Sequence, residues 1–272
     1  MEKFSNLFSD LIQMPVFLFH DVIFGPVQSR RLGLSLGINL LPTHSKYCSF
    51  NCIYCECGWT PENINVIPGF PSRDLVSEYL EYRLNELVEE DHIPDALTFA
   101  GNGEPTLHPD FAGIVDDTIA LRDKYMPGVK VSILSNASMI SEPAVFNALL
   151  RLDNNIQKLD AGFENLFLRI NNPVRPVKLK DLIGNLRKFK GKVIIQSMFL
   201  RGSYKGEVID NTNETEISEW LHHLEFIRPS MVMLYSVSRA TPVHNIEKIS
   251  IFELEKIADK VRKLDIEARV YS

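Results

Sequence analysis

Short apolar runs alternate with amphipathic stretches along most of the chain, a rhythm that predicts βα units. The apolar runs read as strands over 32–41, 96–100, 129–134, 156–160, 193–200 and 231–235, with a terminal strand over 267–271. Helical spacing recurs between them. Over 72–90, Leu75, Val76, Tyr79, Leu80, Leu84 and Leu87 form one stripe behind Ser72 as N-cap. Further helices are predicted over 110–125, 142–151 (capped by Ser141), 179–189, 216–227 and 251–264. The pairs Asn213/Glu216 and Ser250/Glu253 have capping-box spacing. A helix over 3–13 is expected to pack across one end.

Six βα units are too few to close an eightfold barrel, and strands that alternate with helices argue a parallel sheet. The expected fold class is therefore α/β, a partial (βα)6 TIM-like barrel. Residues 25–272 would form this one domain, behind an N-terminal extension of residues 1–24.

Composition narrows the class. Apolar residues make up 45% and charged residues 24%, which excludes disorder and collagen. No apolar run approaches the roughly 18 residues of a membrane span; the stretch over 14–24 is broken by Pro15, His20 and Asp21. The first ten residues lack a basic leader, so a cytoplasmic location is expected.

The four cysteines, Cys48, Cys52, Cys55 and Cys57, fall within ten residues. A disulfide framework would spread them along the fold, so this clustering points to a shared metal centre. Three thiolates spaced Cys48-x3-Cys52-x2-Cys55 can hold three irons of a cubic [4Fe–4S] cluster and leave the fourth open. Cys57 is read as a non-ligand packing beside the site, with a catalytic thiol as the alternative. A zinc site using all four cysteines is cramped, and a four-thiolate electron-transfer cluster would require Cys57 to fold back over the same metals.

With Tyr54 before its third cysteine, this motif resembles the signature of the radical S-adenosylmethionine (SAM) superfamily. Gly101-Asn102-Gly103-Glu104-Pro105 stands after the second strand, where that superfamily has Gly-Gly-Glu-Pro, and Ser135-Asn136 ends the third. The segments at 25–33, 158–162 and Tyr235-Ser236 further resemble Fe–S oxidoreductases related to the wyosine synthases of tRNA. The resemblance implies a [4Fe–4S] cluster on Cys48, Cys52 and Cys55 and SAM on the open iron. One electron would cleave SAM reductively, and the resulting 5′-deoxyadenosyl radical would take a hydrogen from the substrate. SAM would meet Tyr54, Gly101, Asn102, Gly103, Glu104, Ser135 and Asn136. An electron donor such as flavodoxin or ferredoxin is implied as a partner.

Lys158 and Asp160 alternate along one strand and so share a face. If that face lines the barrel, both are expected to be catalytic, together with Arg201 at the end of the fifth strand. Arg30-Arg31 would bind an anion, brace the cysteine loop or lie on the surface. His222-His223 read as solvated; His108 and His44 could approach the site.

The substrate class is constrained by charge and by what cysteines are present. The net charge is −6, which does not favour RNA. Residues 169–192 hold Arg169, Arg175, Lys178, Lys180, Arg187, Lys188, Lys190 and Lys192 against Asp181 alone, but the stripe of Leu179, Leu182, Ile183, Leu186 and Phe189 would turn most of them outward. Arg169 and Arg175 are better placed for a substrate anion. A small-molecule or peptide substrate is expected. The alternatives are a wyosine-synthase-like tRNA-modifying enzyme, a glycyl-radical activase and a non-catalytic Fe–S electron-transfer protein. No cysteine precedes Cys48 to hold the second cluster of the wyosine enzymes.

Overall fold

The computed structural model describes residues 17–61, 69–239 and 241–271. The helix expected over 3–13 lies outside the described residues. Residues 23–38 form an antiparallel hairpin of β1 (Ile23–Ser29) and β2 (Gly33–Ile38). There follow α1 (Arg73–Glu89), β3 (Ala96–Phe99), α2 (Phe111–Tyr125), β4 (Lys130–Ser135), α3 (Pro143–Leu149), β5 (Asn154–Lys158), α4 (Glu164–Asn171) and α5 (Leu179–Arg187). The chain continues through β6 (Ile194–Tyr204), β7 (Glu207–Asp210), α6 (Glu214–Ile227), β8 (Met231–Ser236), β9 (Ile246–Lys248), α7 (Ile251–Arg262) and β10 (Glu267–Tyr271).

The sheet runs β1-β2-β3-β4-β5-β6-β8-β10. It is parallel from β2 to β10, with β1 antiparallel at one edge. Its two ends do not pair, so the barrel is partial, as six βα units require. The long strand β6 runs beyond the barrel, where β7 and β9 pair with it antiparallel. Among the described residues no helix is long and apolar enough to cross a membrane.

Packing follows the stripes. Val76, Leu80, Leu84 and Leu87 of α1 are buried, while Tyr79 of the same predicted stripe is 47% exposed. On α5 and just beyond it, Leu179, Leu182, Ile183, Leu186 and Phe189 are all buried. Each such side chain stabilises the fold by about 1.5–3 kcal/mol relative to exposure. A separate apolar cluster of Ile156, Ile194 and Met233, with Leu32 and Leu134 against it, plugs the other face of the sheet. The next positions on that face are Lys158 on β5, Gln196 on β6 and Tyr235 on β8.

The helix ends differ from expectation in instructive ways. Ser250 and Glu253 form the complete capping box of α7. At α6, Asn213 accepts from the Glu216 amide at 3.0 Å, but the Glu216 carboxylate turns away to accept from the amides of Gly162 and Phe163. That carboxylate serves the turn after β5 instead of its own cap. Helix α3 starts at Pro143 with Glu142 at its N-cap, so Ser141 is not the cap. The spacing did not predict β1, α4, β7 or β9. Pro26 interrupts the alternation of β1, α4 is eight residues with no side-chain cap, and β7 and β9 are only four and three residues long.

Candidate active site

The cysteine loop follows β2 and is held by hydrogen bonds from two sides. On one side the Tyr47 amide donates to the Asn102 carbonyl at 2.8 Å, and the Glu104 amide donates back to the Tyr47 carbonyl at 3.1 Å. This zips the loop to the Gly101–Glu104 segment after β3 and demands glycine there. Gly103 has φ +144°, and a Cβ on it would stand 1.9 Å from the Tyr47 carbonyl oxygen. On the other side, the Asn51 and Ile53 amides donate to the carbonyls of Asn172 and Ile170 at the end of α4. The Val174 amide donates to the Ser49 carbonyl at 2.8 Å.

Held this way, Cys48, Cys52 and Cys55 ring one cavity of about 190 Å³. Tyr54, Gly101, Gly103, Glu104, Ser135, Asn136 and Lys158 line it as well. The fold thus brings together residues from four separate segments, all of them candidates read from the sequence. Glu104 is fully buried. Its Oε1 accepts from the Thr106 amide and hydroxyl, and its Oε2 accepts from the Asn136 amide at 2.6 Å. Burial raises its carboxyl above the ordinary range, against the pull of these donors. Asn136 Nδ2 donates to Ser49 Oγ at 2.9 Å and lies 3.5 Å from Cys48 Sγ.

Lys158 and Asp160 share a face as expected, 3.3 Å apart. Lys158 Nζ donates to the Tyr54 hydroxyl, which donates to Asp160 Oδ2. The same carboxylate oxygen accepts from Asn171 Nδ2 at 2.7 Å, and Oδ1 accepts from the Met198 amide at 2.9 Å. Burial opposes charge on Lys158, but Asp160, Tyr235 and Cys52 together overcome it and raise the ammonium above its usual value. Burial, with Asp160 beside it, also raises the Tyr54 phenol well above its usual value. Asp160 therefore stands behind the cavity wall, fixing Tyr54 and Lys158, which are in it.

The structure moves other candidates away. The Asn102 side chain does not face the cavity; it is bonded to the backbone of Phe19 and Pro42, tying the incoming chain to the loop. Arg201 donates to Thr212 Oγ1 and pairs with Glu253 at 3.0 Å, outside the cavity. Arg169 pairs with Glu207 at 2.7 Å. His108 is buried with Nε2 on the Pro71 carbonyl, and His44 is exposed. His222 is exposed as expected, whereas His223 is half-buried against the Gly162 carbonyl.

Three lining residues went unread or misread in the sequence. Lys46 is only 2% exposed, donates to the Gly58 carbonyl at 2.8 Å, and lines the cavity between the cysteines. Burial disfavours its charge, yet Cys55, Cys48 and Cys52 together raise its ammonium above the usual value. Loop residues have no periodicity, so nothing in the pattern marked it. Gln196 carried a signal: it is the one amide in the apolar run Val193–Leu200. Arg31 does not merely precede the first strand; it lies in the turn between β1 and β2 and reaches the cavity.

The thiols are not equivalent. Burial pushes Cys48 up to about 12, against Lys46, and burial raises Cys52. Cys55 is held down at about 5 by the hydrogen bond from Cys57, whose own thiol is raised by making it. Cys57 also lines the cavity and has Sγ 3.6 Å from the Gly101 carbonyl. Three thiols around one cavity, with a lysine ammonium and two amide groups beside them, form a donor set that fits an anionic iron–sulfur cluster.

The parallel partial barrel with a three-cysteine loop above it is the architecture that the comparisons also point to. The chain belongs to the radical SAM superfamily, whose family model matches residues 43–214. It is 30% identical to "GTPase Obg" of Brachyspira hyodysenteriae over 238 residues, 86% of this chain and 32% of that protein. It is 35% identical over 191 residues to a UPF0026 protein of Methanocaldococcus jannaschii, 70% of this chain and 53% of that one. The chain therefore spans a third to a half of the length of these relatives. It contains no Gly-x4-Gly-Lys-Ser/Thr segment of the kind that cradles nucleotide phosphates. Among solved structures it resembles TYW1 with a lysine–pyruvate adduct bound, at TM-score 0.61 and 16% identity over 84% of this chain and 73% of that one. That likeness shows the fold. The family implies SAM and a [4Fe–4S] cluster.

Proposed function

We propose that this chain binds a [4Fe–4S] cluster through Cys48, Cys52 and Cys55, binds SAM at the open iron, and abstracts a hydrogen from a small-molecule or peptide substrate. The observation that carries this reading is the convergence of the cysteine loop, the Gly101–Glu104 loop and Ser135-Asn136 on one cavity. When bound, the cluster and SAM supply a 5′-deoxyadenosyl radical by one-electron reductive cleavage.

The chain's own residues supply position and electrostatics. Gly101 and Gly103 expose backbone to the amino group of SAM, with the Glu104 carboxylate beside it. Asn136 offers donor and acceptor to the ribose or carboxylate. Tyr54 is locked by Asp160, so its ring and carbonyl are fixed for the adenine. Lys46 offsets the negative charge of the thiolates and Lys158 carries a fixed positive charge into the cavity wall. Cys57 stays outside the coordination and donates to Cys55.

A non-nucleic-acid substrate is favoured because Lys178, Lys180, Arg187, Lys188, Lys190 and Lys192 lie on the exposed side of α5 and its flanks, none of them in the cavity. The tRNA-modifying alternative draws on the likeness to TYW1. A cytoplasmic setting with a flavodoxin or ferredoxin as electron donor completes the proposal. The test is anaerobic reconstitution, followed by spectroscopy of the reduced cluster with SAM and an assay for 5′-deoxyadenosine. A SAM-dependent change in the spectrum is expected. A cluster indifferent to saturating SAM would establish the electron-transfer reading instead.

A further inference from the structure

We propose that Arg31 is the substrate-recognition residue of this cavity and that the substrate carries a carboxylate or phosphate group for it to bind. The proposal rests on the radical SAM reading, since it takes the cavity to be where the substrate reacts.

The turn that presents Arg31 is fixed by its neighbours. Ser29 Oγ accepts from the Arg31 and Leu32 amides. Gly33 has φ +71°, and a Cβ on it would stand 2.2 Å from Asp95 Oδ2, the atom that accepts from the Leu34 amide at 2.8 Å. Leu32 packs into the apolar cluster of Ile156, Ile194 and Met233. With Leu32 anchored inside the sheet and Gly33 tight against Asp95, Arg31 projects into the cavity floor.

The guanidinium is oriented but lacks a counter-charge. Nη1 donates to Gln196 Oε1 at 2.5 Å, and the group lies 4.6 Å over the Tyr235 ring. Both partners are neutral side chains. Among the described residues Arg31 pairs with no carboxylate. The other two cations of the cavity wall differ: Lys158 has Asp160 at 3.3 Å, and Lys46 sits among the thiols. A half-buried cation without a counter-ion is costly to hold, and the cost is offset when a ligand anion arrives.

The geometry suits such an anion. A guanidinium has five donors, one of which is used here on Gln196, and its fork takes carboxylate or phosphate oxygens in pairs. The Gln196 hydrogen bond and the Tyr235 ring hold the guanidinium in place before binding, so little side-chain entropy is lost on recognition. Gln196 is in register with Lys158 across β5 and β6. The anion site is therefore next to the lysine that touches Tyr54, within the cavity ringed by the cysteines.

The test titrates reconstituted wild type, Arg31→Gln, Arg31→Lys and Gln196→Leu with inorganic phosphate and, separately, with acetate. Chloride at equal ionic strength is the control, and the thermal unfolding midpoint is the readout. Phosphate or acetate should raise the wild-type midpoint saturably; which one does so assigns the anion class. Arg31→Gln should need at least about tenfold more of that anion, Arg31→Lys about threefold more, and Gln196→Leu an intermediate amount. SAM affinity, read from the reduced cluster's spectrum, should stay within about twofold in Arg31→Gln. If neither anion saturates wild type, or Arg31→Gln responds as wild type does, the proposal is overturned. It is also overturned if Arg31→Gln weakens SAM about tenfold and the anion competes with SAM, because Arg31 would then hold the SAM carboxylate. A wild-type spectrum that ignores SAM sinks the radical SAM reading instead, and the anion titration does not depend on that result.

Discussion

The Tyr54 hydroxyl, inside the cysteine motif, donates to the carboxylate of Asp160, just beyond the end of β5 and 106 residues away. Through that bond the cysteine loop is tied to the barrel wall. Asn171, which donates to the same carboxylate, also lies 3.5 Å from Cys52 Sγ. A buried network whose members are all bonded is rigid, and its loss is felt by every partner.

Asp160→Ala should therefore destabilise the protein by about 3–5 kcal/mol, because it leaves the Lys158 ammonium buried and unpaired. The double variant Asp160→Ala/Lys158→Met should recover part of that loss. Urea unfolding of the three apo-proteins measures it, and equal losses in the single and double variants would contradict the coupling.

Gly103→Ala should break the junction between the cysteine loop and the loop after β3. The new Cβ meets backbone, not a flexible side-chain end, so the collision with the Tyr47 carbonyl cannot be relieved cheaply. A loss of about 2 kcal/mol or more is expected. Iron content after reconstitution should fall with it, whereas Gly184→Ala, with nothing within 4 Å of its Cβ and no left-handed φ, should keep its iron.

Replacing Cys48, Cys52 or Cys55 by Ala should each abolish cluster binding, and Cys57→Ala should retain about four irons per chain. Iron and sulfide analysis decides this. A Cys57→Ala protein as empty as the other three would mean that Cys57 is a ligand.

Lys46→Met should keep the cluster but lower its reduction potential. Reduction adds negative charge, and a buried ammonium beside the thiolates favours the reduced state. An interaction of roughly 1 kcal/mol corresponds to a shift of about 40 mV for one electron. Redox titration followed by EPR reads the shift; no change, or a rise, would remove Lys46 from the electrostatics of the site.

Acid should destabilise the fold through His108. Burial lowers its pKa below 6.5, despite the Pro71 carbonyl on Nε2. As pH falls below about 6.5 the unfolded chain takes up the proton first, so the stabilisation present above that pH is lost progressively. His108→Asn should flatten the slope of stability against pH between about pH 7 and 5. An unchanged slope would place the dependence on another group.

The order of the parallel strands, and of every helix except α4, was legible along the chain, because alternating apolar runs and 3.6-residue stripes are local properties that burial then enforces. The cysteine cluster was legible as well, since ligand spacing of this kind is read along one short loop. Lys158 and Asp160 were legible together because a strand's two-residue period puts them on one face. That Asp160 stands behind Tyr54 and Lys158, and that Arg201 turns outward to Glu253, emerges only once the chain is folded. The same holds for Asn102, which serves Phe19 and Pro42, and for Lys46 and Arg31, which enter the cavity from a loop and a turn. Loops and turns carry no periodicity, and Arg31, Asn102 and Arg201 are directed by Gln196, Pro42 and Glu253, 165, 60 and 52 residues away. Those partners meet only when the sheet curls, so charge pairing across the barrel cannot be read from the chain alone.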